Sequence, residues 1–499
     1  MKTTPYQITD SPLSISQLDQ ILSSGQEVVL GEAAKSRISN CRKWLETKML
    51  AGGPPIYGVT TGFGSLCNIS ISPEESDSLQ INLVRSHAVG TGPAISNRIA
   101  KLMLLLKAQS LNYGHSGACL STAQQLLDFY NLDIIPEIPE QGSLGASGDL
   151  CPLAHMTLGL VGEGNIRTKD GIKPAAEVLK EHNLNPLDLK AKEGLALLNG
   201  TQFMGAYAVH CQLEAERLAS LADLIAAISL DARMALSTSF HPLTHKIRNQ
   251  KGQIRSAQRI RKWLEGSALL ALPKTQVQDN YSFRCTPQVH GATLDTLVHS
   301  NSVITAEINA VTDNPLIFPE DDLIISGGNF HGQPLALVLD FMAIGVSELA
   351  SIAERRTYRL LAGENGLPQF LVKESGLQSG LMIPQYTAAA LVSQNKQLCT
   401  PASVDSIPSC NEQEDHVSMG ANAATKLLRV IENTENVLAI AFMTAMQALE
   451  FRAEKSSDAI EKIKAEYRTR VAYLDKDRRI KPDMDETILF LRDIASSYH

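Results

Sequence analysis

A chain of 499 residues, 44% apolar and 20% charged, has material for a large buried core and, by length, about three domains. Its 45 basic and 53 acidic residues leave a net charge of −8 without a basic cluster, which argues against a nucleic-acid partner. The opening "MKTTPYQITDSPLSISQ" lacks the apolar stretch of a signal peptide, no run of about 18 uncharged apolar residues suggests a membrane span, and the eight scattered cysteines form no C-x-x-C pair, so reduced thiols in the cytoplasm are expected rather than disulfides or a zinc site.

Along the chain, the first signals are two polar, glycine-bearing loops, "YGVTTGFG" (57–64) and "RSHAVGTG" (85–92). By default Tyr57 is a packed ring there, and His87, after Ser86, a structural histidine. The next loop is "GSLGASGDL" (142–150), where Gly142, Gly145 and Gly148 surround Ser147 and an apolar run follows. Local rules read it as a turn into a helix, with Asp149 as the cap. A phosphate loop is excluded because Asp149 stands where lysine is required, and a carboxylate repels phosphate. A serine-hydrolase elbow is excluded because "GASGD" lacks the final glycine of G-x-S-x-G. A third chemistry fits the residue types. The Gly148 amide can attack the Ala146 carbonyl and close a five-membered ring, since glycine has no Cβ to crowd the closure. The Ser147 hydroxyl can then leave as water to give a methylidene carbon.

Further on, "GNIRTKDG" within 163–174 predicts a small hairpin, and "EGLALLNGTQ" places Asn199 and Gln202 at a turn. Leu213, Leu218, Leu221, Leu224, Ile225 and Ile228 recur at helical spacing, which predicts a long helix over about 205–238. "HPLTH" (241–245) has no glutamate after its first histidine and is read as structural, so no metal is expected. The loop "QDNYSFRCTPQVH" (278–290) carries Gln278, Tyr281, Arg284, Thr286 and His290. "NPLIF" (314–318) and "DLIIS" (322–326) predict a second hairpin, before the loop "SGGNFHGQ" (326–333) with Phe330. Long helices are expected over about 334–361, with Pro334 in its first turn, and about 420–452. Between them lie "SGLMIPQ" with Met382 and the loop "PSCNEQEDHVSMG" (408–420) with Glu414. The last 45 residues, rich in both charges, read as a solvated helical cap. The expected fold is mainly α, a long central helical bundle with a smaller loop-rich N-terminal part. Its expected divisions are 1–200, 201–455 and 456–499. Six loops on one helical scaffold suggest one composite site.

The stretch "GSLGASGDLCPLAHMTLGLVGEG", with Asp149, Pro152, Leu153, Ala154 and His155 in step, resembles the signature of the aromatic amino-acid ammonia-lyases. The resemblance runs from about Tyr57 to Gly420. It implies the ammonia-lyase/fumarase-like all-α fold, a homotetramer with active sites shared among chains, and no external cofactor. It implies that Ala146-Ser147-Gly148 cyclises into 4-methylidene-imidazol-5-one (MIO), an electrophile that ordinary side chains do not offer. By the same resemblance Tyr57 is the β-proton base, Asn199 supports MIO and substrate, and Gln202 is a weaker candidate nearby. Tyr281 orders MIO, Gln278 bridges MIO and substrate, Phe330 packs beside MIO, and Arg284 clamps the substrate carboxylate with its planar fork. Members acting on histidine show Ser-His at positions 86 and 87, with the histidine on the imidazole. They also show a glutamate at 414 near that ring and a methionine at 382 lining its pocket. A carboxylate can pair with an imidazolium, while a benzene ring gives it nothing. The implied reaction is therefore non-oxidative deamination of L-histidine to trans-urocanate and ammonia. The alternative is tyrosine or phenylalanine deamination, or an aminomutase, on the same scaffold. The sequence departs from the pattern at Cys410, Asn411 and Glu412, and at Thr286 and His290, where a glutamine and a methionine are more familiar. His290 is either a core histidine or, with Glu412, a modifier of the pocket.

Overall fold

Apolar residues around nearly the whole circumference keep a helix inside a protein, and the 32-residue helix Gln202–Arg233 follows that rule. Phe203, Met204, Tyr207, Leu218, Leu224 and Ile228 on it are all buried. It stops short of the expected 238 because Met234 turns left-handed at φ 62° and the Ala235 N–H bonds back to Leu230 O, which closes the helix end. The other two long helices predicted from periodicity are present as Gln333–Leu360, with Pro334 in its first turn, and Gly420–Leu449. This computed structural model describes residues 4–497.

The chain forms two compact units. One comprises the residues up to Leu213 with Asn301–Asp340 and Pro401–Thr425. The other comprises Glu214–Ser300, Phe341–Thr400 and the residues from Lys426 onward. This division differs from one drawn along the chain at 200 and 455, because each unit is assembled from separate stretches.

The first unit packs shorter helices with small sheets. Helix Asn97–Asn112, capped by the Ser96 hydroxyl, is buried along most of its length and packs on Leu120–Asn131. Both predicted hairpins form: Asn165–Thr168 pairs with Gly171–Pro174, and Leu316–Phe318 with Leu323–Ile325. Three pairings had no local signal, one of them Ile135–Pro136 antiparallel to Asn165–Thr168. Tyr6–Ile8 runs parallel to Val28–Leu30, and Thr91–Ala94 pairs antiparallel with Pro139–Gln141. The pairing of Thr91–Ala94 matters for function, because it sets the loop after His87 beside the start of the 142–149 segment.

In the second unit the charged C-terminal stretch is amphipathic rather than simply solvated. Helices Asp458–Arg468 and Lys481–Ser497 bury Ile460, Ile463, Tyr467, Phe490 and Leu491. Tyr467 and Phe490 form an aromatic cluster with Phe442. The stretch 278–290 is not all loop, since Thr286 already opens the helix Thr286–Ile308.

His290 is a core histidine. It is fully buried, and its Nδ1 lies 2.8 Å from Asp223 Oδ1, which also accepts the Ser256 hydroxyl at 2.6 Å. Thr286 is buried as well, and its hydroxyl donates to Phe283 O at 3.0 Å, in the short helix Tyr281–Arg284 just before it. Burial pushes the His290 pKa down and outweighs the opposing pull of Asp223. A depressed pKa means that the unfolded chain takes up the proton first. Stability from this residue is therefore present above the ordinary histidine pKa, about 6.5, and is lost as pH falls below it. Thermal unfolding followed from pH 7 to pH 5 is expected to show a smaller loss of Tm for His290→Met than for the wild type. Equal losses would refute the assignment.

Among the described residues one helix, Gln333–Leu360, is long and apolar enough to cross a membrane by length and composition. Most of its apolar window is buried within the fold, as for the core helix of a globular protein.

Candidate active site

The 142–149 segment takes its shape from its glycines and from two neighbouring loops. Gly148 sits at φ 74°, and a Cβ there would overlap the Gly200 carbonyl. Local structure alone thus demands glycine at 148. The Asp149 N–H donates to Gly200 O at 2.7 Å, and Gly148 and Gly200 form a short parallel bridge. On the other side Met419 N–H donates to Leu144 O at 3.0 Å and the Ser418 hydroxyl to Gly145 O at 3.4 Å. The Ser143 hydroxyl accepts the Gly145 N–H at 3.2 Å and closes the turn from within.

Asn199 is the direct partner of Ser147. Its Nδ2 donates to both the carbonyl and the hydroxyl oxygen of Ser147, each at 2.8 Å. Its Oδ1 is buried without a hydrogen-bond partner among the described residues. Behind it the buried Lys107 amine donates to Asn199 O at 2.7 Å and Ala196 O at 3.2 Å, which caps the short helix Glu193–Leu198. Burial pulls this amine down to about 7, only partly offset by Asp313.

Asp149 does not cap the helix that follows it. No hydrogen bond joins its side chain to Leu150–Leu160; its carboxylate instead accepts the Met204 N–H at 2.9 Å, in the first turn of Gln202–Arg233. It is fully buried, and burial pushes its pKa up to about 7 against these hydrogen bonds.

A cavity of about 470 Å³ in the first unit is lined by Tyr57, Ser86, His87, Ser147, Cys410 and Glu414, among others. Four of the six predicted loops thus meet at one place. The Tyr57 hydroxyl accepts the Gly64 N–H at 3.0 Å. Burial raises the Tyr57 pKa, the Gly64 N–H opposes this, and Glu414 adds to the rise. His87 ends the helix Ser76–His87, and its Nδ1 lies 3.0 Å from the Ser86 hydroxyl. That hydroxyl donates to Leu83 O at 3.1 Å. Burial lowers the His87 pKa, while Leu83 O and Glu414 raise it. Glu414 is oriented by the Ser409 hydroxyl, 2.7 Å from Oε2.

With tyrosine, histidine, carboxylate and the Ala-Ser-Gly turn around one cavity, the match to a family profile is decisive: the profile of the aromatic amino acid lyases covers residues 13–469. The chain belongs to that family. This lyase is 46% identical to histidine ammonia-lyase of Deinococcus radiodurans over 481 residues, 96% of this chain and 92% of the relative. The crystal structure of histidine ammonia-lyase from Trypanosoma cruzi superposes with a TM-score of 0.91 at 39% identity, covering 99% of this chain and 94% of that one. Tyrosine aminomutase from Streptomyces globisporus superposes with a TM-score of 0.93 at 33% identity, covering 99% and 98%. These neighbours share the mainly α fold expected from the sequence.

The remaining predicted residues of the lyase lie elsewhere. Gln202 is buried and donates to Thr312 Oγ1 at 3.0 Å rather than lining the cavity. Phe330 is half-buried on the 326–333 loop and is also not among the lining residues. Gln278, Tyr281, Arg284 and Met382 belong to the second unit. There the Arg284 guanidinium lies 4.4 Å from the Tyr281 ring centroid, its Nε donates to Asp279 O at 3.0 Å, and the Gln278 amide oxygen accepts from it. Tyr281 is 70% exposed, its ring covered on one side by Arg284. Met382 is half-buried at the start of helix Met382–Leu398. Sequence reasoning missed the supports of the site, namely Ser143, Ser418 and Lys107. Lone hydroxyls and a lone lysine carry no local pattern that would mark them.

Proposed function

We propose that this lyase removes ammonia from L-histidine and releases trans-urocanate. The observation that carries the reading is that His87 and Glu414 line the same cavity as Ser147 and Tyr57. An imidazole substrate offers a ring N–H and a ring nitrogen, and a histidine and a glutamate are groups that pair with both. A benzene ring leaves both unpaired, and polar groups desolvated without a partner disfavour binding.

In this reading the electrophile is MIO, formed as the Gly148 nitrogen bonds to the Ala146 carbonyl carbon and two waters leave, the second carrying the Ser147 hydroxyl. The residues present fit the group. Gly148 has no Cβ in a space where one would overlap Gly200 O, and Asn199 Nδ2 already donates to the Ser147 carbonyl oxygen. When formed, the group supplies an electrophilic carbon that activates the substrate amine as a leaving group. Tyr57 accepts the β-proton, with the Gly64 N–H favouring its ionised form. Glu414 holds the imidazole N–H, and His87 the far side of the ring.

We further infer a homotetramer in the cytoplasm whose sites combine residues of several chains. In it Arg284, backed by Gln278, takes the substrate carboxylate in a bidentate grip, and Tyr281, Phe330 and Met382 complete the wall. Support comes from the helix Gln333–Leu360, which leaves Leu337, Phe341 and Ile344 exposed at i, i+4 and i+7. A stripe of that kind marks an interaction surface. Light scattering on the purified protein reads the assembly directly.

The test of the function is an absorbance assay with L-histidine, L-tyrosine and L-phenylalanine in parallel. The expected result is a conjugated product from histidine well ahead of the others. Preference for tyrosine or phenylalanine would overturn the substrate and keep the reaction class.

A further inference from the structure

The loop that carries Glu414 is strained at one place. Cys410, Asn411 and Glu412 are successive non-glycine residues with left-handed φ values of 52°, 53° and 64°. L-residues visit this region singly and at a steric cost, so a run of them persists only where its surroundings hold it. The turn is closed by reciprocal backbone bonds, Ser409 N–H to Glu414 O at 3.0 Å and Glu414 N–H to Ser409 O at 3.3 Å.

The strained turn delivers two side chains to the Tyr57 loop. Cys410 Sγ accepts the Ser65 N–H at 3.2 Å, and Asn411 Nδ2 donates to Ser65 Oγ at 3.3 Å. The adjacent amide, Gly64 N–H, is the donor to the Tyr57 hydroxyl. Gly64 is itself left-handed, at φ 55°, and a Cβ there would overlap the Cys410 sulfur, so the thiol fills the space that the glycine leaves. Two loops about 345 residues apart are thereby joined one residue away from the group that favours the tyrosine's ionised form.

We propose that Cys410 is a positioning residue: by accepting the Ser65 N–H, its thiol holds the Tyr57 loop in the register in which the Gly64 N–H reaches the tyrosine hydroxyl. The consequence for catalysis rests on Tyr57 being the proton acceptor. Burial, Glu414, Cys410 and Cys67 all disfavour the phenolate, and His87 shares the cavity. The Gly64 N–H is the group that favours it. Releasing the loop removes this donor, whose effect is larger than the opposing one of Cys410, so Tyr57 then ionises at higher pH.

The experiment compares Cys410→Ala with Cys410→Ser in the intact assembly. Cys410→Ala is expected to lower kcat for histidine about tenfold, to leave KM within about twofold, and to move the rising limb of the kcat–pH profile to higher pH. Cys410→Ser keeps an acceptor and should restore both. Amide hydrogen exchange over residues 57–69, read by mass spectrometry, gives a measure that does not depend on activity. Exchange should quicken in Cys410→Ala and not in Cys410→Ser. Unchanged exchange in Cys410→Ala would overturn the proposal, and so would faster exchange with an unmoved kcat and pH profile. A Tyr57→Phe variant with full turnover would instead overturn the role given to Tyr57, while the exchange data would still report on the latch.

Discussion

Ser147→Ala is expected to lose roughly 10³-fold or more in histidine turnover, because the alanine has no hydroxyl to leave and the electrophile cannot form. Intact mass separates this cause from misfolding. The wild-type chain should weigh two waters less than its sequence, and the variant should keep the mass of its own sequence. Gly148→Ala should show the same unprocessed mass for a different reason. Its φ of 74° and the close Gly200 carbonyl leave no room for a Cβ, so the nitrogen and the Ala146 carbonyl lose their alignment. A Ser147→Ala variant with wild-type turnover would remove the electrophile from the mechanism, whatever its mass.

Glu414→Ala is expected to lower histidine turnover by about 10²–10³-fold, the range of a positioned acid–base or charge-pairing group. Any trace turnover of phenylalanine should fall far less, because a benzene ring offers the carboxylate nothing. Glu414→Gln separates charge from shape. Its amide oxygen can still accept from Ser409, which lies 2.7 Å from Oε2 in the wild type, so the turn should survive while the negative charge is lost. A Gln variant as impaired as the Ala variant would locate the effect in the charge. Equal losses on histidine and phenylalanine in either variant would show that Glu414 supports the loop and does not read the substrate.

The reach of sequence reading differs from residue to residue. Asp149 was expected as the cap of its own helix, the only helix visible in the local pattern. Its partner is the Met204 N–H, 55 positions away, and nothing near residue 149 encodes that. His290 left two readings open because one histidine in an apolar helix looks the same in either. Its contact with Asp223 and its complete burial are properties of packed helices. Gln202 sits three residues after Asn199, which touches Ser147, yet it turns to Thr312, since side chains around a helix start point in different directions.

Local chemistry was enough for the long helices, whose apolar periodicity repeats every few residues, and for both hairpins, whose strands close over short turns. The ring closure proposed for Ala146-Ser147-Gly148 was legible in the same way, because the atoms it would join are consecutive in the chain. Tertiary structure alone decided which polar groups meet. It paired Thr91–Ala94 with Pro139–Gln141, set Asn199 and Lys107 behind Ser147, and brought the thiol of Cys410 to the amide of Ser65. A hydrogen bond needs its two atoms within about 3 Å and in line. Sequence spacing specifies that geometry within one helix turn or one hairpin, and beyond that range only the packed fold does.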